Sequence, residues 1–103
     1  MNNLFANIPL DLPEELFEEL AAGSAVKIER IVSRGHVSPA EGWYDQDQPE
    51  WVMVVQGKAV LAFSDKDSIT LAAGDYVTIA AHEKHRVDWT SPDEDTVWLA
   101  VHY

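Results

Sequence analysis

The sequence predicts an all-β fold, an antiparallel sandwich or barrel of short strands. Runs of β-branched and aromatic residues recur along most of the chain, which is typical of strands on a half-buried sheet. Clusters of Gly, Asp, Ser and Pro separate these runs roughly every 8–12 residues, the spacing of turns in sandwiches and barrels. The chain has 103 residues, of which 47% are apolar, so it has material for one compact core and one domain.

The predicted strands follow one another closely from residue 26 to residue 103. They are residues 26–33, 50–56, 58–64, 68–71, 76–79, 85–89 and 96–103. Gln56-Gly57 lies between two of them, and because Gly tolerates a positive φ angle, the pattern predicts a hairpin there. Gly74-Asp75 forms a second turn, immediately before residues 76–79.

The residues before the first predicted strand favour a short helix. Asp11 can cap it, Pro13 is tolerated in a first helical turn, and Glu14 completes a pattern like a capping box. The apolar residues then fall on one helical stripe, at Leu12, Leu16, Phe17 and Leu20, and Gly23 ends the pattern. We therefore expect residues 1–24 to form a lead-in with one short helix, and residues 25–103 to form the β-barrel of a single domain.

The charge of the chain excludes several classes of partner. Seven basic side chains stand against 18 acidic ones, a net charge of −11. Nucleic acids and anionic membranes bind clustered Lys and Arg, so neither is expected as a partner. The chain has no Cys, no apolar run of about 18 residues and no basic, apolar leader, which predicts a cytoplasmic protein.

Glu50 is a candidate site residue because it opens an otherwise apolar strand. The two-residue period places Glu50 with Val52 on one face, and Trp51 with Met53 on the other. The larger side chains predict that the Trp51 face forms the core. Glu50 then faces either a barrel cavity, where its carboxylate needs a cation or a donor, or solvent at an edge strand.

His85 is the second candidate because it begins a strand directly after a turn. The alternation of that strand places His85, Val87 and Trp89 on one face, so the imidazole looks into an apolar space. Neutral imidazole is a common ligand of divalent metals, although a lone His is also often a hydrogen-bonded core residue. His82 lies in the preceding turn and is expected at the rim of the pocket. His102, in the last strand, either lines the cavity or lies at its end.

The spacing of these residues resembles the two sequence motifs of the cupin superfamily. Glu50, six residues and Gly57 are similar to the end of the first motif, and Gly74, ten residues and His85 are similar to the second. The similarity covers roughly residues 28–103, and it implies a double-stranded β-helix, a barrel of the jelly-roll type. The chain lacks the usual His-x-His before Glu50, where residues 42–49 read GWYDQDQP.

The resemblance also implies where the remaining ligands of a metal site would stand. At the usual spacing from Glu50, Asp45 takes the place of the second His and Trp43 that of the first. A site of Asp45, Glu50 and His85 suits a divalent Mn, Fe, Ni or Zn ion, while the alternative for Asp45 is a solvated loop with an Asx turn. A register shift of one residue brings in Tyr44 and Gln46. The predicted pocket residues are Trp43, Tyr44, Gln46, His82, Trp89 and His102.

Two functions follow from the resemblance. One is a metal-dependent enzyme acting on a small organic acid, sugar or phenol in the barrel mouth. The other is a binding or sensing protein for a small-molecule ligand, with weak or no metal binding, which the missing His-x-His favours. Neither the reaction nor a catalytic residue follows from the sequence. The resemblance further implies a homodimer formed through sheet faces or edges.

Overall fold

A computed structural model describes residues 2–103, which form eight β-strands. They are β1 (Leu16–Ala22), β2 (Lys27–Ser33), β3 (Glu50–Gln56), β4 (Lys58–Phe63), β5 (Ile69–Ala72), β6 (Tyr76–Ile79), β7 (His85–Thr90) and β8 (Thr96–His102). The prediction of an all-β fold is confirmed, and the strands predicted from residue 26 onward are found within one or two residues of their expected ends. Residues 2–103 contain no helix of the length and apolarity that crossing a bilayer requires.

The strands form two antiparallel sheets with the core between them. One sheet has five strands in the order β1-β2-β8-β3-β6, and the other has three in the order β5-β4-β7. The buried cluster draws on both sheets, with Val52, Val54 and Trp98 from the five-stranded sheet against Leu61 and Phe63 from the other. This is the two-layer, jelly-roll arrangement that the cupin resemblance implies.

The predicted N-terminal helix is wrong, because residues 16–22 form the edge strand β1. Phe17 pairs with Ile31 and Glu18 with Arg30 across the antiparallel ladder to β2. The apolar residues of this segment do follow a helical period. Pairing with β2 nevertheless satisfies the backbone hydrogen bonds of the segment, and this long-range interaction outweighs the local helical preference. Since β1 belongs to the five-stranded sheet, the barrel wall includes part of the segment predicted as a lead-in.

The predicted hairpin at Gln56-Gly57 is also wrong, because β3 and β4 belong to different sheets. Gly57 has a φ angle of 91°, and a Cβ atom there would lie 2.5 Å from Oγ1 of Thr96. Thr96 Oγ1 in turn lies 3.3 Å from both the backbone N and O of Lys58. Gly57 therefore forms the tight corner at which the chain passes from one sheet to the other.

The predicted orientation of β3 is wrong as well. Val52 and Val54 are 3% and 0% exposed and face the core with Glu50, whereas Trp51 and Met53 lie half-buried on the outer face. On β3, the β-branched valines therefore face the core and the larger side chains face outward. The Trp51 ring instead packs against Tyr76 of the neighbouring β6, with ring centroids 5.5 Å apart.

The N-terminal segment is held on this outer face by a buried arginine. Arg30 is 4% exposed and pairs with Glu18. Its Nη1 donates to the carbonyl oxygens of Leu4 and Ala6, at 2.9 and 2.7 Å. These bonds fix the segment before β1 and also turn the Arg30 charge away from the interior of the barrel.

Candidate functional site

A cavity of about 90 Å³ opens between the two sheets. Its polar lining consists of Glu15, Glu29, Gln46, Glu50, His85 and His102, and its aromatic lining consists of Phe17, Tyr44 and Trp98. Aliphatic side chains from both sheets complete the wall. Apolar walls with a few convergent polar groups are the usual composition of a small-molecule site, so this cavity is the candidate functional site.

Glu50 and His85 meet inside the cavity because β3 and β7 both begin at its mouth. His85 Nε2 lies 3.6 Å from Glu50 Oε1, and the two side chains are 6% and 9% exposed. His85 Nδ1 donates a 2.8 Å hydrogen bond to the carbonyl oxygen of Glu83, so Nε2 is the nitrogen that faces the carboxylate. Tyr44 joins His85 through backbone hydrogen bonds of 2.8 and 3.2 Å and packs its ring 5.6 Å away.

The surroundings of His85 favour its charged form. Burial lowers the pKa of the imidazole, but the Glu50 carboxylate and the carbonyl oxygen of Glu83 raise it by more, so the net direction is upward. A carboxylate and an imidazole therefore lie side by side in the cavity, which is the arrangement that general acid–base chemistry uses.

Glu50 also approaches a second imidazole. His102 Nε2 lies 3.9 Å from Glu50 Oε2 and donates a 2.8 Å hydrogen bond to Glu29 Oε1. Lys27 contacts the other oxygen of Glu29 at 3.5 Å. The cavity floor is therefore a row of alternating imidazoles and carboxylates, in the order His85, Glu50, His102 and Glu29. Within residues 2–103 no hydrogen bond reaches the Glu50 carboxylate, although its side chain is nine-tenths buried.

Sequence reasoning missed two carboxylates of this cavity. Glu15 accepts a hydrogen bond from Ser33 Oγ, which accepts one of 3.2 Å from Trp98 Nε1. Burial raises the pKa of Glu15, although the Ser33 hydrogen bond lowers it in part. Glu15 could not be found because its segment was predicted to be helical. Glu29 was detectable, since the period of β2 places it on the same face as buried Ile31.

The third predicted metal ligand, Asp45, is not among the residues that line the cavity. Its carboxylate accepts a 2.8 Å hydrogen bond from Nδ1 of His82, and His82 Nε2 lies 3.9 Å from Asp47. Within residues 2–103, no three His, Asp or Glu side chains are arranged to hold a metal ion. The side chains as placed therefore do not fit a metal, and the ligand role of Asp45, Glu50 and His85 stays a prediction.

The structure divides the other predicted pocket residues into two groups. Tyr44, Gln46 and His102 line the cavity with Glu50 and His85. His82, Trp43 and Trp89 lie outside it, at 39% exposure for Trp43 and 41% for Trp89.

Trp43 and Trp89 are excluded from the cavity for separate reasons. Trp43 packs under the guanidinium of Arg86, 4.6 Å from its ring centroid. Leu61 and Val60 of β4 pair with Val87 and Trp89 of β7, so one residue of β7 is skipped and a β-bulge interrupts the register. The bulge turns Trp89 away from the face of His85 and Val87 that strict alternation predicted.

Comparisons with known proteins agree with this architecture. The closely similar structure of a provisionally assigned mannose-6-phosphate isomerase from Ralstonia eutropha JMP134 has a TM-score of 0.95 and 46% sequence identity, over 99% of this chain and 95% of that protein. A cupin superfamily protein from Desulfitobacterium hafniense has a TM-score of 0.74 and 21% identity, over 92% and 82% of the two chains. A cupin family protein with a double-stranded β-helix fold from Methanocaldococcus jannaschii has a TM-score of 0.71 and 17% sequence identity, over 93% of this chain and 85% of that protein.

Sequence families point the same way. The comparison with curated proteins finds no match. The family model described as the cupin domain matches residues 28–102, which include every strand except β1 and the first residue of β2. Because that match spans most of the chain and the two-sheet barrel accompanies it, this protein belongs to the cupin domain family.

Proposed function

We propose that this protein is a small-molecule-binding cupin that holds its ligand through Glu50 and His85 without a bound metal. One observation carries the proposal: the Glu50 side chain is 9% exposed, faces the cavity and accepts no hydrogen bond from residues 2–103. A largely buried carboxylate is costly when no donor lies within hydrogen-bond length, and a ligand donor placed between Glu50 and the imidazoles 3.6 and 3.9 Å away would complete it. The neighbouring imidazole of His85 gives the ligand a second polar contact.

The test is a fragment screen observed by NMR, with chelator present throughout. Ligands that bind the cavity are expected to shift the indole N–H signal of Trp98, since Trp98 lines it. His85→Gln should weaken binding by about 10–100-fold, the range for a hydrogen bond to a charged group. His82→Gln is the matched control, because His82 lies three residues away and outside the cavity. Binding that survives His85→Gln but is lost in His82→Gln would overturn the proposal.

A second candidate is an isomerase of small hydroxy-aldehydes, which the 46% identity with the provisionally assigned mannose-6-phosphate isomerase favours. Glu50 would take a proton from the carbon beside the carbonyl, and protonated His85 would donate one to the carbonyl oxygen, giving the enediol. No Lys or Arg of residues 2–103 lines the cavity, so it offers no partner for a phosphate. We therefore expect turnover of unphosphorylated mannose to exceed that of mannose 6-phosphate; the reverse order would contradict this candidate.

The metal-dependent enzyme that the sequence raised is tested by metal content. The protein is purified without a metal-affinity tag, and bound metal is measured in the wild type and in His85→Gln. Stoichiometric metal that disappears in His85→Gln would favour a metal centre and replace our proposal. Metal that is equally present in both proteins lies elsewhere, and the proposal would stand.

A further inference from the structure

Two hydrogen-bond acceptors in the cavity have no donor within hydrogen-bond distance among residues 2–103. The Glu50 carboxylate is one, since it faces the imidazole nitrogens of His85 and His102 at 3.6 and 3.9 Å, distances longer than a hydrogen bond. Gln46 provides another, because its Oε1 atom is buried in the lining and no donor of residues 2–103 reaches it. Buried polar atoms in native proteins are nearly always paired, so an unpaired amide oxygen in the same cavity as a carboxylate with only long contacts points to a ligand that donates.

His85 adds a third acceptor. Because the carbonyl oxygen of Glu83 can only accept, the hydrogen bond of 2.8 Å requires a proton on Nδ1 of His85. When the pH exceeds the raised pKa of His85, the ring is neutral and exposes only the lone pair of Nε2 to the cavity, next to Glu50. A head group with several donors matches this arrangement, whereas a carboxylate or phosphate does not.

The charge of the cavity favours a cation. Its lining contains three Glu side chains, two His side chains and, among residues 2–103, no Lys or Arg. Lys27 contacts Glu29 but does not line the cavity. Arg30 in β2 pairs with Glu18, and Arg34 just after β2 pairs with Asp95. A negative, partly desolvated site attracts a positive ligand more strongly than the solvated exterior does.

The walls and the size of the cavity limit the rest of the ligand. Phe17, Tyr44 and Trp98 supply aromatic faces, which attract cations as well as apolar groups. The volume of about 90 Å³ is smaller than the cavity of about 150 Å³ that holds benzene in an engineered protein. A head group with a few carbon atoms fits inside, and any longer chain extends through the mouth.

We propose that the ligand is a small primary ammonium compound whose three N–H donors bind Glu50, His85 and Gln46. This inference rests on the proposed function, since it names the ligand class of the same cavity. The apolar body of the amine packs against the aromatic wall.

Three probes with a branched four-carbon body and different charges test the ligand class: isobutylamine, isobutanol and isobutyrate. Binding is followed by the Trp98 indole signal at a pH of about 9, where a primary amine is still charged and the pH lies well above the ordinary imidazole range, to allow for the raised pKa of His85. Isobutylamine is expected to bind with a Kd on the order of millimolar, at least about 10-fold tighter than isobutanol. Isobutyrate is expected to leave the signal unchanged.

Two variants locate the effect. Glu50→Gln should weaken isobutylamine binding by about 10-fold or more. Glu94→Gln removes the same charge from an exposed loop outside the cavity and should leave binding unchanged. Gln46→Met removes the amide acceptor from a partly exposed position, and it should weaken binding about 3–10-fold even if Glu50→Gln folds poorly.

The outcomes separate the two proposals. If isobutanol or isobutyrate shifts Trp98 as strongly as isobutylamine, the ligand class is overturned while small-molecule binding in the cavity stands. If Glu94→Gln weakens amine binding as much as Glu50→Gln does, the attraction is to the net charge of the protein, and the ligand class is again overturned. If none of the probes shifts Trp98 at high millimolar concentration, both proposals fail.

Discussion

Two histidine–carboxylate pairs have their histidines three residues apart and their carboxylates five residues apart in the sequence, yet they differ in almost every physical respect. His85 and Glu50 are 6% and 9% exposed and lie on two strands, with a ring nitrogen and a carboxylate oxygen 3.6 Å apart. His82 and Asp45 are 64% and 42% exposed and lie in loops, with a closer contact of 2.8 Å. The shorter distance belongs to the pair that solvent screens, so distance alone does not rank the two.

The difference between the pairs comes from the backbone that carries them. His85 is locked by the β7 ladder, by its backbone bridge to Tyr44 and by the bond from Nδ1 to the Glu83 carbonyl. His82 lies in a turn with a φ angle of 63°, where its backbone N donates to the carbonyl oxygen of Gln46 at 2.8 Å, and Asp45 is the only hydrogen-bond partner of its side chain among residues 2–103. A rigid, buried pair can hold a ligand in one geometry. The side chains of an exposed pair in a turn lose conformational entropy whenever they make a contact.

The largest contrast is expected in stability. His85→Ala should lower the free energy of unfolding by about 2–4 kcal/mol, because it leaves a cavity, removes the bond to Glu83 and strands the Glu50 carboxylate. His82→Ala should cost less than about 1 kcal/mol, as is usual for exposed ion pairs. Urea unfolding of both variants measures the two values. Equal losses would mean that burial of the first pair contributes nothing to the fold.

The second contrast concerns pH. The raised pKa of His85 means that its contribution to stability is complete below its unfolded pKa of about 6.5 and is lost as the pH rises through the folded value. Histidine ring signals in NMR titrations should place the pKa of His85 above about 6.5. Glu50→Gln should move it downward, since the carboxylate is the main group that opposes the effect of burial.

Asp45→Asn is the control for that titration, since it removes a carboxylate from the exposed pair alone. It should leave the pKa of His85 in place. A pKa of His85 that does not respond to Glu50→Gln, or that responds equally to Asp45→Asn, would show that the two groups are not coupled as the 3.6 Å contact implies.

The sequence predicted the buried pair because each of its members starts a strand and stands at a motif-like distance from a Gly turn, Gly57 after Glu50 and Gly74 before His85. These two spacings are local in the sequence. The strands that begin at Glu50 and His85 are β3 and β7. The two-residue period of the strand also predicted that Glu50 shares a face with Val52 and Val54. It did not predict which face is inside, since that depends on how β3 packs against the other sheet.

The remaining features of the site depend on long-range pairing, which single-sequence patterns do not contain. Glu15 enters the cavity only because β1 pairs with β2, and the helical stripe in its segment hid that pairing. Trp89 leaves the cavity because of one bulge, which shifts the alternation of β7 by one residue. Asp45 was selected by counting back from Glu50, but the loop between them directs its carboxylate to His82.

The smallest contrast isolates the backbone of the exposed pair. A non-Gly residue at the φ angle of 63° found for His82 is strained, and His tolerates this region better than Ala does. His82→Gly should therefore be more stable than His82→Ala by about 0.5–1 kcal/mol, although both variants lose the contact with Asp45. Urea unfolding of the two variants side by side measures this difference. If His82→Ala were the more stable of the two, the turn would not hold residue 82 in the left-handed region, and the exposed pair would owe its geometry to the Asp45 hydrogen bond instead.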